Sequence, residues 1–329
     1  MIAYIDLLKC IAIGLVANSH CKGVYPSDVF SFGGGFGLAL FYMISGYLLA
    51  NIRESTNFAK WYIKKLLNLY IPLWLIVGVE VLIGYIKINN VSYFFKRFFY
   101  PGMWFTASMI ILYVFYYVFV KFIYNKHKEK STYITIIVLL AAYLYLYFFR
   151  PAIATFSFEH LNLVETFSIE TPYLITHLFW MGSMLIGLHI RKNWICGKKN
   201  MNPVLCLIIV GISMIIFAGQ RFLEKMEYDF VSCFEILLPI TYVAFAVGSF
   251  GFFMIFEERL KKIMHKPVGK AITAISHSSI EIYYIQFIWI TYFKGLIFPI
   301  NIMAIFIGMC VSAVAFHTIA QRISQHICY

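Results

Sequence analysis

Ten apolar stretches, each about as long as a bilayer's hydrocarbon core is thick, recur along the 329 residues of this chain. They run near residues 4–21, 30–51, 67–86, 102–121, 132–149, 172–190, 202–219, 234–256, 273–293 and 299–319. Lipid offers no partner for backbone N–H and C=O groups, so stretches of this kind close their hydrogen bonds within helices. The expectation is an all-α polytopic membrane protein. About ten transmembrane helices would enclose a central cavity, as a single domain over residues 1–329. Hydrophobic residues at 61% and charged residues at 13% leave no length for an appended soluble domain. The first stretch has neither a charged leader nor a small-residue cleavage signal, and is read as a retained helix.

The connections carry the orientation. One alternate set (52–66, 121–130, 191–199, 257–270 and the C-terminus) holds 18 Lys and Arg residues. The opposite set holds 8, and Lys9 lies within the first stretch. The positive-inside rule then places the richer set and both termini in the cytoplasm of a multi-pass protein of the cell (inner) membrane. The basic balance is a topology signal and not a nucleic-acid footprint.

Within the first stretch the charged residues share a face. His20 lies eleven positions beyond Lys9, which at about 100° and 1.5 Å per residue returns to nearly the same side of a helix, roughly 16 Å further along. Asp6 falls within about 60° of that side. Ionisable groups at membrane depth are costly and ask for a functional reason. With the topology above, Asp6 and Lys9 stand at the cytoplasmic end and His20 near the outer end. Arg53, Lys60, Lys64 and Lys65 follow on the cytoplasmic side.

The blocks that follow make a pattern. Ile5-Asp6-Leu7-Leu8-Lys9 opens it, with His20 eleven residues after the lysine. Phe41-Tyr42-Met43-Ile44-Ser45-Gly46-Tyr47-Leu48-Leu49 comes second, then Lys64-Lys65 ahead of Tyr70 and Pro72, then Met103-Trp104-Phe105. Ile275-Ser276-His277-Ser278-Ser279-Ile280-Glu281-Ile282-Tyr283-Tyr284 closes it. In this order the blocks resemble the acyltransferase-3 family of integral membrane acyltransferases. The likeness runs over residues 5 to 286. Three positions depart from the family pattern. Lys9 replaces the commoner arginine. Lys65-Leu66-Leu67-Asn68 lacks the second cation of a basic pair, so no bidentate phosphate fork forms there. Gln286 stands where many members have histidine.

The resemblance implies transfer of an acyl group, commonly acetyl, from cytoplasmic acyl-coenzyme A to a hydroxyl of an envelope polysaccharide or lipid-linked glycan. Acetyl-coenzyme A would be a co-substrate, with no tightly bound cofactor and no fused extracellular esterase-like domain. Lys9, Lys64 and Lys65 would receive the nucleotide phosphates. His20 would act as general base or carry the acyl group itself. Glu281 would orient or charge-stabilise the imidazole. Tyr42 and Ser45, three apart on one helix face, would donate to the oxyanion, with Trp104 helping to position substrate and Asp6 fixing Lys9.

Each residue also has a plainer reading. His20 would be an interfacial histidine, Lys9 a snorkelling anchor, Ser45-Gly46 a small-residue helix contact, and Lys60, Lys64 and Lys65 ordinary loop cations. Glu80 and Glu235 match no block. The Gly33-Gly34-Gly35-Phe36-Gly37 run reads as the turn into the second helix, on the side of His20. The seven cysteines are scattered without metal spacing, and the histidines show no ligand spacing, so no metal is expected. Partners reduce to acyl-coenzyme A, a sugar acceptor and membrane lipids, with self-association into a homo-oligomer left open. The competing function is a transporter or flippase that moves a glycan or acylated substrate without chemistry.

Overall fold

The protein was described from a computed structural model, which covers residues 2–99, 104–149, 171–194, 202–226 and 237–327. Among these residues there are helices and no strands. The chain forms α1 (Ala3–Ser19), α2 (Gly34–Leu48), α3 (Phe58–Leu82), α4 (Val91–Phe98), α5 (Trp104–Val118), α6 (Asn125–Phe149) and α7 (Thr171–His189). It continues with α8 (Pro203–Lys225), α9 (Leu237–Ile255), α10 (Glu257–Met264), α11 (Pro267–His277), α12 (Ser279–Phe293) and α13 (Ile300–Ile327). Six helical stretches of the described residues are long and apolar enough to cross a membrane. The all-α polytopic class read from the sequence is therefore the class of the protein. α1 and α12, at 17 and 15 residues, are shorter than those six.

Three local features differ from the simple series of spans. Phe105–Tyr145 is continuous over 41 residues, about 60 Å if straight, or twice a hydrocarbon core. It breaks at Lys128, whose φ of 50° and ψ of −136° are not helical. The stretch 273–293 is two helices, because α11 ends at His277 and α12 starts at Ser279. The segment 87–101, expected as an outer loop, contains α4. Its Asn90 cap accepts from the Tyr93 N–H. At its far end Trp74 Nε1 and Tyr70 Oη donate to the carbonyls of Phe98 and Phe99, at 2.8 and 2.7 Å. Those anchors lie eight and twelve residues before the end of α3, about 12 and 18 Å along it. α4 thus folds back beside α3, and its last carbonyls find donors there.

The chain divides into two compact units. The first holds Met1–Phe41, Ala59–Phe99 and Val247–Tyr329, and the second Tyr42–Phe58 and Tyr100–Ala246. In the first unit α1 packs on α10, α11 and α12, and α12 packs along α13. The first turn of α1 is capped from outside. Its Ala3 and Tyr4 N–H groups donate to the two carboxylate oxygens of Glu257, at 3.2 and 2.9 Å. A carboxylate suits the positive end of a helix and satisfies donors that no intrahelical carbonyl reaches. Glu257→Ala is expected to lower the unfolding free energy by about 1–2 kcal/mol. Thermal unfolding of the solubilised protein measures this, and an unchanged midpoint would remove the cap from the argument.

In the second unit α2 and α7 cross backbone to backbone. A Cβ on Gly46 would collide with the Met184 backbone, and one on Gly187 with that of Met43. The two glycines thus make a reciprocal small-residue crossing, the form in which helices approach closely in a membrane. Tyr116 Oη donates to the Gly46 carbonyl at 2.6 Å. Gly46 is accordingly a packing position.

Candidate active site

The first unit brings α1 and α12 side by side and parallel. Near their starts Ser276 Oγ, on α11 just before α12, donates to Asp6 Oδ1 at 2.9 Å. At the C-terminal end of α1 the His20 ring meets Phe287 of α12 edge-on, centroids 4.9 Å apart. The ladder formed by these contacts places Asp6, Lys9 and His20 along one helix whose neighbours are known at both ends.

Lys9 is half-buried, one turn above Asp6. Asp6 is buried, and it is held by Ser276 while His277 Nε2 approaches the same oxygen at 3.9 Å. The hydrogen-bond partner of Asp6 is Ser276, while its charge acts on Lys9 electrostatically. The reason is geometric, since Ser276 and His277 come from another helix straight onto the carboxylate. Lys65 on α3 feels the like charges of Lys64 and Lys9, so the three ammonium groups form one neighbourhood. α3 is tied to α12 there, because Tyr284 Oη donates to the Leu69 carbonyl at 3.3 Å, one turn beyond Lys65.

His20 caps α1. Its backbone N–H bonds to Ala17 and its ring is exposed at the helix end. The following loop is stitched to that end. Asn18 Nδ2 donates to the carbonyls of Phe30 and Phe32 at 2.7 and 2.9 Å, Tyr25 Oη donates to Asn18 Oδ1, and Ser31 Oγ donates to Asn18 O at 3.1 Å. The glycine run then enters α2 hard against α1. At Gly33 φ is 109°, and a Cβ there would sit 2.8 Å from Leu15 Cδ2. At Gly37 it would lie 2.5 Å from the Ala12 carbonyl oxygen. Only glycine permits that approach and that backbone angle. His20 is held by its backbone, and its ring nitrogens make no hydrogen bond among the described residues.

Glu281 does not touch His20. Six residues, about 9 Å of helix, separate it from Phe287. Its Oε1 lies 2.8 Å from His317 Nδ1 on α13, and it is buried. The expected orienting contact with His20 is thus replaced by a pair with His317. The His277 and His317 rings stand 6.3 Å apart, so Asp6, His277, His317 and Glu281 form a chain of acids and imidazoles around the α11–α12 break. Histidine spacing could not reveal it, since 36 residues separate Glu281 from His317. Glu80, unassigned from sequence, is buried on α3 and interacts with Arg97 of α4. Gln286 is fully buried and donates to the Tyr283 carbonyl at 3.0 Å.

Tyr42 and Ser45 belong to the second unit. Tyr42 is buried there, stacked on Trp180 at 5.0 Å and tilted against Phe105 at 5.3 Å, and Ser45 is half-buried. The Trp104 side chain and Glu235 lie outside the described residues, as do residues 150–170 and 227–236. Among the described residues no group of three or more His, Cys, Asp or Glu residues is arranged to hold a metal ion.

The six long apolar helices define an integral membrane protein, and α1 carries Asp6, Lys9 and His20 along its length. A family model described as an acyltransferase domain, of the acyltransferase-3 type, matches residues 2–320, and the chain belongs to that family. Comparison with curated proteins and with solved structures finds no match.

Proposed function

We propose that this membrane acyltransferase moves an acetyl group from acyl-coenzyme A to a hydroxyl of an envelope polysaccharide or lipid-linked glycan, with His20 as general base. The observation that carries the reading is α1 itself. It sets Lys9 inside a cluster with Lys64 and Lys65 at one end, and an unencumbered imidazole about 16 Å away at the other. A cluster of three cations beside a single acid already engaged by Ser276 favours a polyanion such as the nucleotide phosphates. The lysine excess puts that end in the cytoplasm. The pantetheine arm is comparable in length to the rise between the two residues, so the thioester reaches the imidazole while the nucleotide stays at the mouth.

In the chemical step a ring nitrogen of His20 takes the proton of the acceptor hydroxyl as its oxygen attacks the thioester carbonyl. The C–S bond breaks, and the departing thiolate takes the proton back from the imidazolium. The products are the ester and coenzyme A thiol, with no net proton released. An acyl-imidazole on the same nitrogen would reach the same products in two steps.

The purified protein in nanodiscs, given acetyl-coenzyme A labelled in the acetyl group, should transfer or hydrolyse the label. Failure to bind coenzyme A at all would favour a carrier of acylated glycans instead. The lysine cluster has its own test. Lys9→Ala should raise the apparent KM for acetyl-coenzyme A about tenfold, the loss of one charge-assisted contact, and leave the acceptor KM unchanged. An effect confined to the acceptor would contradict the phosphate role.

A further inference from the structure

The second unit carries a cluster of cations that the acyl-transfer reading does not use. α5 and α7 both end in π-helical turns, Phe119–Tyr124 and Ile190–Trp194, and both turns reach the segment that follows α2. π-turns of this kind re-aim side chains and recur at functional sites. Arg191 Nη1 donates to Tyr47 Oη at 2.8 Å, and its guanidinium lies over the Tyr47 ring at 5.0 Å. Lys192 Nζ reaches Asn51 Oδ1 at 3.4 Å. Lys121 is engaged differently, donating to the Thr56 carbonyl and to Tyr117 Oη, both at 3.0 Å, so it holds the segment in place.

Arg191 is the unusual member. Stacking on a buried tyrosine fixes its plane, yet that one hydrogen bond uses a single donor of five. No carboxylate lies within ion-pair distance of Arg191 or Lys192 among the described residues. Both are half-buried. A fixed guanidinium with spare donors, beside an ammonium and with no carboxylate at ion-pair distance among the described residues, matches the bidentate geometry of a phosphate.

The neighbouring surface says which phosphate. His189, in the last turn of α7, accepts or donates to Tyr133 of α6 at 3.2 Å and to Asn193 at 2.7 Å. From Tyr133 the face of α6 runs on through Ile134, Ile137 and Val138, each more than half exposed. An apolar exposed stripe on a spanning helix, ending beside half-buried cations on the lysine-rich face, is the form taken by sites for anionic lipid headgroups.

We propose that Arg191 and Lys192 bind the phosphodiester of an anionic membrane lipid whose acyl chains lie along Ile134, Ile137 and Val138. This site stands independently of the role given to His20.

The test uses the full chain in nanodiscs of phosphatidylcholine with a minor fraction of phosphatidylglycerol, with co-purifying lipid identified by native mass spectrometry. Wild-type protein should retain phosphatidylglycerol selectively. Arg191→Gln with Lys192→Gln should weaken retention about 25-fold, on the order of fivefold for each cation. Arg191→Lys keeps the charge without the fork and should fall between them, which separates lost recognition from misfolding. Lys262→Gln with Lys266→Gln, exposed on and after α10, should retain lipid as wild type does. Undiminished phosphatidylglycerol on the double variant would overturn the site. Its displacement by added coenzyme A would overturn the lipid assignment in favour of a nucleotide phosphate.

Discussion

His20→Ala is expected to lower acetyl transfer by about 10²–10⁴-fold, the usual loss for a general base, while the protein remains folded. The second half of that expectation comes from the way the residue is held. What fixes the end of α1 is backbone, in the His20 N–H to Ala17, and the Asn18 side chain, which gathers the loop over Phe30 and Phe32. Among the described residues the imidazole itself makes only an edge contact with Phe287. Losing such an aromatic contact costs about 0.5–1.5 kcal/mol, too little to unfold a protein of this size. Phe287→Leu supplies the control. It removes the ring contact, keeps the imidazole, and should reduce transfer less than about tenfold. Measured with labelled acetyl-coenzyme A, undiminished transfer by the alanine variant would dismiss His20 as the base.

That prediction could be framed from the sequence, because Lys9 and His20 sit on one helix and a helix has a fixed rise and rotation. Class and family were legible for the same reason: apolar length and local motifs are properties of single segments. What the sequence hid were relations between segments. Asp6 acts electrostatically on Lys9, its neighbour three residues on, but its hydrogen bond from Ser276 of α11 could not be read from the sequence. Glu281 was assigned to His20, but about 9 Å of helix separates it from Phe287, the residue that meets His20, and its bonded partner is His317 of α13. The break between His277 and Ser279 fell at the polar Ser276-His277-Ser278-Ser279 step, which was read as part of one span and not as a helix end. α4 was hidden differently. Its charged and aromatic residues look like an exterior loop until Tyr70 and Trp74 are seen to hold its end.

The Glu281–His317 pair carries the second large effect. His317→Leu is expected to destabilise the protein by about 3–5 kcal/mol, because it leaves a buried carboxyl group without its partner. One of the two must supply the proton they share, so neither is satisfied alone. The double variant Glu281→Leu/His317→Leu should recover most of that loss, since replacing both members of a buried pair with apolar side chains removes the need for a partner. Unfolding of both variants in one detergent measures the difference, and a double variant no more stable than the single would refute the pairing. Activity then separates structure from chemistry. If Glu281 serves only to fasten α12 to α13, the restabilised double variant transfers acetyl at near wild-type kcat. If its charge also supports the imidazolium at His20, kcat falls while KM for acetyl-coenzyme A holds, because a field acting on the developing cation is felt in the transition state and hardly in substrate binding.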